Sequence, residues 1–431
     1  MKVLLVNPPN CGRSIPEEVY GIDSIKMILR GEPLSLETLA GNLDDHEVKI
    51  VDLKAVSHTF RDVLIDFHPD VVGITGVTCE ANTMLKLAGV ARELADATIV
   101  VGGSHASNDP SFFNREPIDY VVIGLGKLSF RELISAMESG DPTDTIPGVA
   151  KTNPHGQLDF IPRRYSHSDL VEEKPPRYDL TEAYRKNYAM HPYGFTLGLV
   201  STAFGCPHRC SFCSIEPITG GRYLTHDPET ILRDILLLGD VPLIRLVDAN
   251  TFGSAAQSRA LCEKIKDSGI EKGYVADVRS DTVVRHPELF RAWKEVGLRT
   301  AIIGFEEIDD GTLRTMKKAN TAAVNTEAIR ILHETGITII GDFIVSPDYD
   351  EKQFQALRDY LSENPVDLPM LSILTPLPGT ELHKSIKNKI IIHDLDYYTL
   401  TNAVMPIRMD EKTFYENYAD LMKSGHAGAK L

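Results

Sequence analysis

The sequence predicts an α/β protein with two successive series of strands and helices: an N-terminal doubly wound domain and a partial (β/α)6 barrel. Short β-branched runs bounded by Gly, Pro, Asn or Asp alternate with stretches of helical spacing, as in buried parallel sheets. A segment rich in Pro, Arg and Tyr, 151–193, interrupts this rhythm. We therefore expect a first domain at 1–150, a linker at 151–193, a barrel at 194–384 and a tail at 385–431 that packs on the barrel.

The first series contains five predicted strands separated by predicted helices. Ligands of such a sheet bind beyond the carboxyl ends of the strands, where this chain has loops rich in Gly, Ser, Thr and Asn. The predicted strands are Val3–Val6, Val48–Val51, Val71–Val77, Thr98–Val101 and Tyr120–Ile123. The predicted helices are Ser35–Asn42, Thr59–Phe67, Ala81–Leu94 and Leu128–Glu138.

The second series contains six predicted strand–helix units. Eight such units close a full barrel with its active site at the carboxyl ends of the strands, so six predict an open barrel with the same functional rim. The predicted strands are Phe195–Thr202, Leu243–Asp248, Gly273–Val278, Thr300–Phe305, Thr338–Ile344 and Met370–Thr375. The predicted helices are Pro228–Leu238, Ala255–Asp267, Pro287–Val296, Asp310–Lys317, Ala323–Glu334 and Glu351–Ser362.

Three cysteines, Cys206, Cys210 and Cys213, follow the first strand of the second series with the spacing C-x3-C-x2-C. Cysteine thiolates are the usual ligands of a [4Fe–4S] cluster, and three of them leave one iron open to another ligand. Two alternatives remain: a zinc site with His208 as the fourth ligand, or three buried thiols.

The composition of the chain limits the kinds of partner that the protein can bind. The 431 residues carry a net charge of −16, and no basic run exceeds three residues. This balance argues against a nucleic-acid partner, which clustered Lys and Arg would bind. Six cysteines make a disulfide framework implausible, and no apolar run approaches the roughly 20 residues of a membrane span. We therefore expect a cytoplasmic protein without an integral membrane segment.

The loop Phe204–Ser214 resembles the signature of the radical S-adenosylmethionine (SAM) enzymes. The resemblance implies a [4Fe–4S] cluster whose open iron chelates SAM. An electron from a donor such as flavodoxin or ferredoxin then cleaves SAM and releases a 5′-deoxyadenosyl radical. Family positions on the barrel rim imply SAM contacts from Phe212, Asp248, Asn250, Arg279, Glu306, Ile340 and Gly341.

Each of these rim residues except Glu306 also has a structural interpretation. Asp248 and Asn250 suit loop capping, and Arg279 suits an ion pair with Asp277 or Asp281. Phe212 suits loop packing, while Ile340 and Gly341 are ordinary residues of a barrel core.

The first 150 residues resemble the Rossmann-like cobalamin-binding domain that precedes many radical SAM domains. The Asp-x-His-x-x-Gly motif of cobalamin mutases is absent, so no histidine is expected as a lower cobalt ligand from that position. Relatives usually have Gly-Glu-Gly-Glu where this chain has Gly124-Leu-Gly-Lys127. The resemblance implies cobalamin contacts from Asn7, Thr78, Cys79, Glu80, Gly102, Gly103, Ser104, His105, Gly124 and Gly126.

The two resemblances together imply a cobalamin-dependent radical SAM enzyme, similar to class B methyltransferases. It would methylate an unactivated carbon of a small or lipid-like metabolite through the 5′-deoxyadenosyl radical. The chain is also similar to anaerobic magnesium-protoporphyrin monomethyl ester cyclase and to hopanoid-modifying relatives. An alternative is therefore an oxidative cyclase or another non-methylating modification of a tetrapyrrole- or lipid-like substrate.

Two further classes fit the sequence less well. A transfer-RNA methylthiolating enzyme would have three more N-terminal cysteines and a basic C-terminal domain, and this chain has neither. A non-enzymatic cofactor sensor would not need the whole SAM-binding rim. We expect the substrate pocket between the cobalamin face and the barrel mouth. Five tail aromatics are expected to line it or to pack: Tyr397, Tyr398, Phe414, Tyr415 and Tyr418.

Overall fold

The computed structural model describes residues 1–23, 29–56, 59–170, 174–190 and 194–427. The strands are β1 (Lys2–Asn7), β2 (Leu29–Arg30), β3 (Glu47–Asp52), β4 (Val71–Ile74), β5 (Thr98–Val101), β6 (Tyr120–Val122), β7 (Val149–Lys151), β8 (Ala189–Met190), β9 (Phe195–Val200), β10 (Ala203–Gly205), β11 (Tyr223–Thr225), β12 (Leu243–Leu246), β13 (Gly273–Val278), β14 (Leu298–Glu306), β15 (Thr338–Val345) and β16 (Leu368–Ile373). The helices are α1 (Ile15–Tyr20), α2 (Leu34–Gly41), α3 (Phe60–Phe67), α4 (Ala81–Leu94), α5 (Ser104–Asn108), α6 (Lys127–Ser139), α7 (Ile215–Thr219), α8 (Pro228–Leu237), α9 (Ala255–Ser268), α10 (Ser280–Arg285), α11 (Pro287–Glu295), α12 (Asp310–Thr315), α13 (Ala322–Thr335), α14 (Glu351–Glu363), α15 (Glu381–Ile386) and α16 (Glu411–Ala427).

The first sheet has the strand order β3-β1-β4-β5-β6-β7, and only β7 is antiparallel to its neighbour. Alternate residues of β1 enter different cores: Leu4 and Val6 pack on one face and Val3 and Leu5 on the other. Both faces are therefore buried, as the apolar runs predict. The strand order reverses between β1 and β4, and such a switch point is where doubly wound sheets bind ligands.

The second sheet forms the partial barrel. Strands β9, β12, β13, β14, β15 and β16 are parallel and adjacent in chain order, each pairing with the next. The predicted fold class, a doubly wound domain followed by a curled partial barrel, is thus confirmed. Strand β8 extends the β9 edge in antiparallel pairing, and β2 pairs with β8.

Strand β2 and helix α1 depart from the predicted division of the chain. Both lie within the predicted first domain, yet β2 joins the sheet of the barrel and Ile15 of α1 packs in the barrel core. The two-residue strand β2 joins the barrel sheet by pairing with the linker strand β8. Because this pairing is distant in the chain, no local sequence pattern predicted β2.

The tail holds a helix that the sequence analysis did not predict, α16, which packs on β16 and α14. Phe414 and Tyr415 are fully buried there, and Tyr418 donates a hydrogen bond to the Leu371 carbonyl at 2.8 Å. These aromatics therefore pack, which is the second of their two interpretations.

A junction of two distant segments closes one side of the barrel. Asn402 is fully buried; its Oδ1 accepts from the Ile15 backbone N–H at 2.7 Å, and its Nδ2 donates to the Arg13 carbonyl at 2.8 Å. The Arg13 backbone N–H also donates to the Asp396 carbonyl at 2.7 Å. These bonds fix segment 394–402 beside the N-terminal loop.

Within the described ranges, no helix has both the length and the apolar character that crossing a membrane requires.

Candidate cofactor sites

The cysteine loop begins at a turn held by Asp248. The carboxylate accepts from the backbone N–H groups of Thr202 and Ala203, both at 2.8 Å, and from the Thr202 hydroxyl at 2.7 Å. Burial raises the pKa of Asp248 to about 6, although these hydrogen bonds favour the charged form. Asp248 therefore caps the strand connection that leads to the first cysteine.

Backbone hydrogen bonds anchor the cysteine loop on two sides. The Ser211 N–H donates to the Met316 carbonyl at 3.0 Å, and the Leu382 N–H donates to the Ser211 carbonyl at 2.8 Å. The Cys213 N–H donates to the Cys210 carbonyl at 3.1 Å, which tightens the turn between these cysteines. The loop is thus fixed at the rim of the barrel.

The chemistry of the three thiols fits an iron–sulfur cluster. All three side chains are partly accessible, and burial raises the pKa of Cys210 and raises that of Cys213 to about 11. The positive charges of Lys318 and Arg279 oppose this shift at Cys210, so they favour its thiolate. Iron binding would therefore release protons from these thiols.

The alternative zinc site would use the same three thiols with His208 as the fourth donor. Zinc takes four donors at about 2.0–2.3 Å from one point. Within the part of the chain that the structure describes, no three His, Cys, Asp or Glu side chains converge in a way that would hold a single metal ion.

A cavity of about 450 Å³, the barrel cavity, opens beside the cysteine loop. This volume lies in the range of sites for small molecules. It is lined by Phe212, Cys213, Ser214, Glu306, Asp342, Ile344, Met370, Leu371, Ser372, Ile373, Leu374, Thr375, Leu377, Thr399, Leu400 and Thr401.

Glu306 enters this cavity from a strained position. The register of β14 against β15 shifts between Gly304 and Glu306, and Glu306 has a φ of 66°. Its carboxylate forms an ion pair with the Lys318 ammonium at 2.7 Å, and the two side chains are only 10% and 8% exposed. Strained residues and bulges cluster at functional sites because they re-aim side chains.

The other rim residues named from the resemblance take structural positions. Arg279 donates to Asp281 at 2.8 Å and to the Lys318 carbonyl at 2.7 Å, so it pairs as the ion-pair interpretation predicts and supports Lys318. A Cβ on Gly341 would point at Phe305 and Val366, away from the cavity. Phe212 and Glu306 line the cavity, whereas Asp248, Asn250, Arg279, Ile340 and Gly341 do not.

Asp342 lines the cavity and was missed by the sequence analysis. Burial, with the nearby carboxylates of Glu306 and Asp277, raises the pKa of Asp342 to about 7. The carboxyl has no hydrogen-bond or ion-pair partner among the described residues. The signal in the sequence was a lone acidic residue inside an otherwise apolar strand. Its oxygens are available to hydroxyl or ammonium donors.

A second cavity of about 410 Å³, the switch-point cavity, lies where the order of the first sheet reverses. Part of its lining is apolar and includes Leu5, Leu36, Val100, Val122 and Phe130. Seven of the residues expected to contact cobalamin line it: Asn7, Glu80, Gly102, Gly103, Ser104, Gly124 and Gly126.

Glycine is required at two positions of this cavity. Gly103 has a φ of 93°, and a Cβ there would lie 2.6 Å from the Thr75 hydroxyl oxygen. Gly124 has a φ of 92°, and a Cβ there would overlap the Tyr165 hydroxyl. A backbone-lined rim above an apolar interior fits a large cofactor with an apolar end, as cobalamin has.

Three of the predicted cobalamin residues lie outside the lining. Thr78 and Cys79 form the turn before Glu80, and the Cys79 carbonyl faces the Cys11 thiol. His105 does not line the cavity. Its ring is fully buried, with the Phe112 and Phe113 centroids at 5.1 and 5.6 Å, and this burial lowers its pKa to about 4.

The cysteine loop and the helix after it form a wall of both cavities. Cys213 and Ser214 line the barrel cavity, and Ile218 lines the switch-point cavity. The Asn108 side chain at the end of α5 donates to the Ser214 carbonyl at 3.2 Å and joins the two walls. Molecules bound in the two cavities would therefore lie on either side of one loop.

Leu400 is a strained residue on the barrel cavity, with a φ of 66° and 42% exposure. A left-handed backbone costs about 1–2 kcal/mol for a residue with a Cβ. We expect the Leu400→Gly variant to be more stable than the Leu400→Ala variant, with a free energy of unfolding about 1 kcal/mol higher. Glycine relieves the strain of the left-handed backbone, whereas alanine does not. Urea denaturation of both variants measures this difference, and equal stabilities would contradict it.

The fold and the two cavities define a two-module α/β protein with a thiol triad between its ligand sites. Residues 25–134 match the B12 binding domain family, and residues 200–361 match the Radical SAM superfamily. The chain therefore belongs to the radical SAM enzymes that carry a B12-binding domain. Its cofactors are cobalamin, SAM and a [4Fe–4S] cluster.

Named relatives span nearly the whole chain. Hopanoid C-3 methylase of Methylococcus capsulatus is 29% identical over 90% of this chain and 75% of its own length. Anaerobic magnesium-protoporphyrin IX monomethyl ester cyclase of Synechocystis is 24% identical over 91% of this chain and 78% of its own. The structure of TsrM, a radical SAM methyltransferase from Kitasatospora setae, superposes with a TM-score of 0.69 at 19% identity, covering 90% of this chain and 74% of that one. At this identity the likeness to TsrM shows the fold alone.

Proposed function

We propose that the protein is a methyltransferase that adds a methyl group to an unactivated carbon of a small or lipid-like metabolite, through the 5′-deoxyadenosyl radical. The observation that carries the proposal is the pair of cavities on either side of the cysteine loop. One suits a methyl-carrying cofactor and the other suits SAM with a substrate. The likeness to hopanoid C-3 methylase supports methyl transfer.

When bound, SAM and the cluster supply a radical that removes hydrogen from carbon, and cobalamin supplies the methyl group. The chain supplies ligands, orientation and exclusion of water. Cys206, Cys210 and Cys213 hold the cluster in this proposal. Glu306 lines the cavity and its negative charge matches the amino group of SAM, while Lys318 pairs with Glu306 and holds it in place; Phe212 packs on the adenine.

The lining of the barrel cavity supports the proposed substrate class. Ile344, Met370, Leu374 and Leu377 offer apolar surface. The Asp342 carboxyl lies among them and suits a hydroxyl or another hydrogen-bond donor. An apolar molecule with one polar group would fit this lining.

Oxidative cyclisation of a tetrapyrrole- or lipid-like substrate is the second candidate. It is favoured by the likeness to the magnesium-protoporphyrin ester cyclase over 91% of this chain. The two reactions share the same start and differ in what the substrate radical meets next.

Anaerobic incubation with methyl-labelled SAM, cobalamin, a reductant and candidate lipids or tetrapyrroles tests the proposal. We expect label in a product whose mass exceeds that of the substrate by one methylene unit. An unlabelled, oxidised product would refute methyl transfer and support cyclisation. Omission of the reductant is the control, because methylation by a radical route then stops.

We further propose that a one-electron donor of the flavodoxin or ferredoxin type reduces the cluster, and that the enzyme works in the cytoplasm without a nucleic-acid partner. The net charge of −16 supports the last point.

A further inference from the structure

The surface around the cysteine loop has the opposite charge to the rest of the chain. Four segments meet there: 206–222, 279–286, 310–318 and 380–389. Together they contain ten Lys and Arg residues against four Asp and Glu residues, within a chain whose net charge is −16. The remainder of the chain is correspondingly more acidic.

Direct contacts bring these segments together. Ser211 binds the backbone of Met316 and of Leu382, as described above, and the Lys317 ammonium pairs with Glu381 at 2.6 Å. The Arg279 guanidinium donates to the Lys318 carbonyl at 2.7 Å and so joins the second segment to the third. The third and fourth segments thus flank the loop, and the second segment packs against the third.

Six of the ten cations face solvent and have no ion-pair partner among the described residues. We call them the cationic collar. Arg279 and Lys318, in contrast, are buried in the pairs that shape the SAM site. The collar consists of Arg209, Arg222, Arg314, Lys384, Lys387 and Lys389.

We propose that the cationic collar is the docking surface for a small acidic protein that carries one electron. The inference rests on the proposed function, because a cluster that cleaves SAM must first be reduced. The step is a transfer of one electron: the carrier is oxidised by one electron, the cluster is reduced by one, and no bond or proton changes place.

Charge complementarity favours this partner. An acidic carrier is repelled by a chain of net charge −16 except at the collar, so the field steers it to this face. Pro207 and Arg209, inside the cysteine loop, are exposed, which places a docked carrier directly against the cluster loop. A surface that binds single-stranded nucleic acid usually has exposed aromatic side chains on which bases stack. The four segments contain one aromatic residue of the types Phe, Tyr and Trp, which is Phe212, and it lines the barrel cavity. The collar therefore suits a protein partner better than a nucleic acid.

The test compares two triple charge reversals in the holoenzyme, with a flavodoxin as the probe. The collar variant is Lys384→Glu/Lys387→Glu/Lys389→Glu. The matched control is Lys86→Glu/Lys151→Glu/Lys423→Glu, at exposed lysines outside the four segments that have no ion pair among the described residues. Both variants change the net charge equally, so only the position of the charge differs.

Two readouts are expected to change in the collar variant and not in the control. The Kd for flavodoxin, from flavin fluorescence, and the KM for flavodoxin in 5′-deoxyadenosine formation both rise about tenfold. The difference shrinks in high salt, because exposed charges are then screened. Formation of 5′-deoxyadenosine with dithionite stays at the wild-type rate, since a small reductant needs no docking surface.

Other outcomes overturn the proposal. Equal Kd values of the two variants for flavodoxin would show that the electron donor does not dock on the collar. Binding of a transfer RNA that the collar variant loses, with an unchanged Kd for flavodoxin, would make the collar a nucleic-acid surface. Failure of dithionite to support SAM cleavage by the wild-type enzyme would instead refute the proposed function, while the Kd comparison would still judge the docking surface.

Discussion

Cys213→Ser is expected to remove the cluster and to abolish the reductive cleavage of SAM. Cys213 lines the barrel cavity, where we propose that SAM binds, and its loss leaves only two thiolate ligands on the loop. Two thiolates leave two irons of a four-iron cluster without a protein ligand, and the cluster is then lost. Iron and sulfide content, together with 5′-deoxyadenosine formation, measure the effect after anaerobic reconstitution.

Cys262→Ala is the matched control, because Cys262 is buried on α9 away from the loop. We expect full iron content and wild-type SAM cleavage from this variant, with a modest loss of stability. Retention of four irons by Cys213→Ser would contradict the ligand assignment. One tightly bound zinc and no sulfide in the wild-type protein would instead favour the zinc site with His208 as the fourth ligand.

Breaking the Glu306–Lys318 pair is expected to have the second largest effect. Both side chains are nearly buried and pair at 2.7 Å, so Lys318→Met leaves the Glu306 charge buried without a partner. Loss of one member of a buried pair costs about 3–5 kcal/mol. Glu306→Gln likewise leaves the Lys318 charge buried without a charged partner. We therefore expect both single variants to lose stability and SAM binding.

The double variant Glu306→Gln/Lys318→Met separates structure from function. It removes both charges, so we expect much of the lost free energy of unfolding to return. SAM binding should stay low, because the Glu306 charge that matches the SAM amino group is gone. Denaturation curves and equilibrium binding of SAM to the reconstituted protein measure the two effects. Recovery of both properties together would show that the pair is only structural.

The sequence predicted the two series of strands because buried parallel strands carry a local signal, the β-branched run. The strand ends of the second series also placed the cysteine loop on the rim, since its position follows from chain order alone. Very short strands carried no such signal. Strand β2 is two residues long and pairs with β8, and the paired residues Arg30 and Ala189 are 159 positions apart in the chain.

The facing of individual side chains was less predictable. On β15 the resemblance named Ile340 and Gly341, whereas the cavity is lined by Asp342 and Ile344. Gly341 is on the opposite face, because the side chains of a strand alternate, and Ile340 shares the face of Asp342 but lies further from the carboxyl end of the strand. The register shift near Gly304 aims Glu306 into the cavity, and no sequence pattern revealed it. Asp248, Arg279 and His105 have residue types that suit either a cofactor or a structural role, and only their partners decide between the two.

The distribution of charge over the surface was also not predictable from the sequence. The sequence has no basic run longer than three residues, and we predicted from this that the protein has no nucleic-acid partner. The collar, however, takes its cations from four segments, so its density appears only after folding. A net charge of −16 describes the average surface and says nothing about one face of it.

The Asn402 junction bears on how the enzyme is made. Its bond to the Ile15 backbone joins residues 387 positions apart, and Leu400, two residues before Asn402, lines the barrel cavity. Contacts of such long range form late in folding. During translation, a nascent chain that has already displayed its cysteine loop still lacks this wall. The wall that segment 394–402 adds to the barrel cavity can form only after this segment has been synthesised and has packed against Arg13 and Ile15.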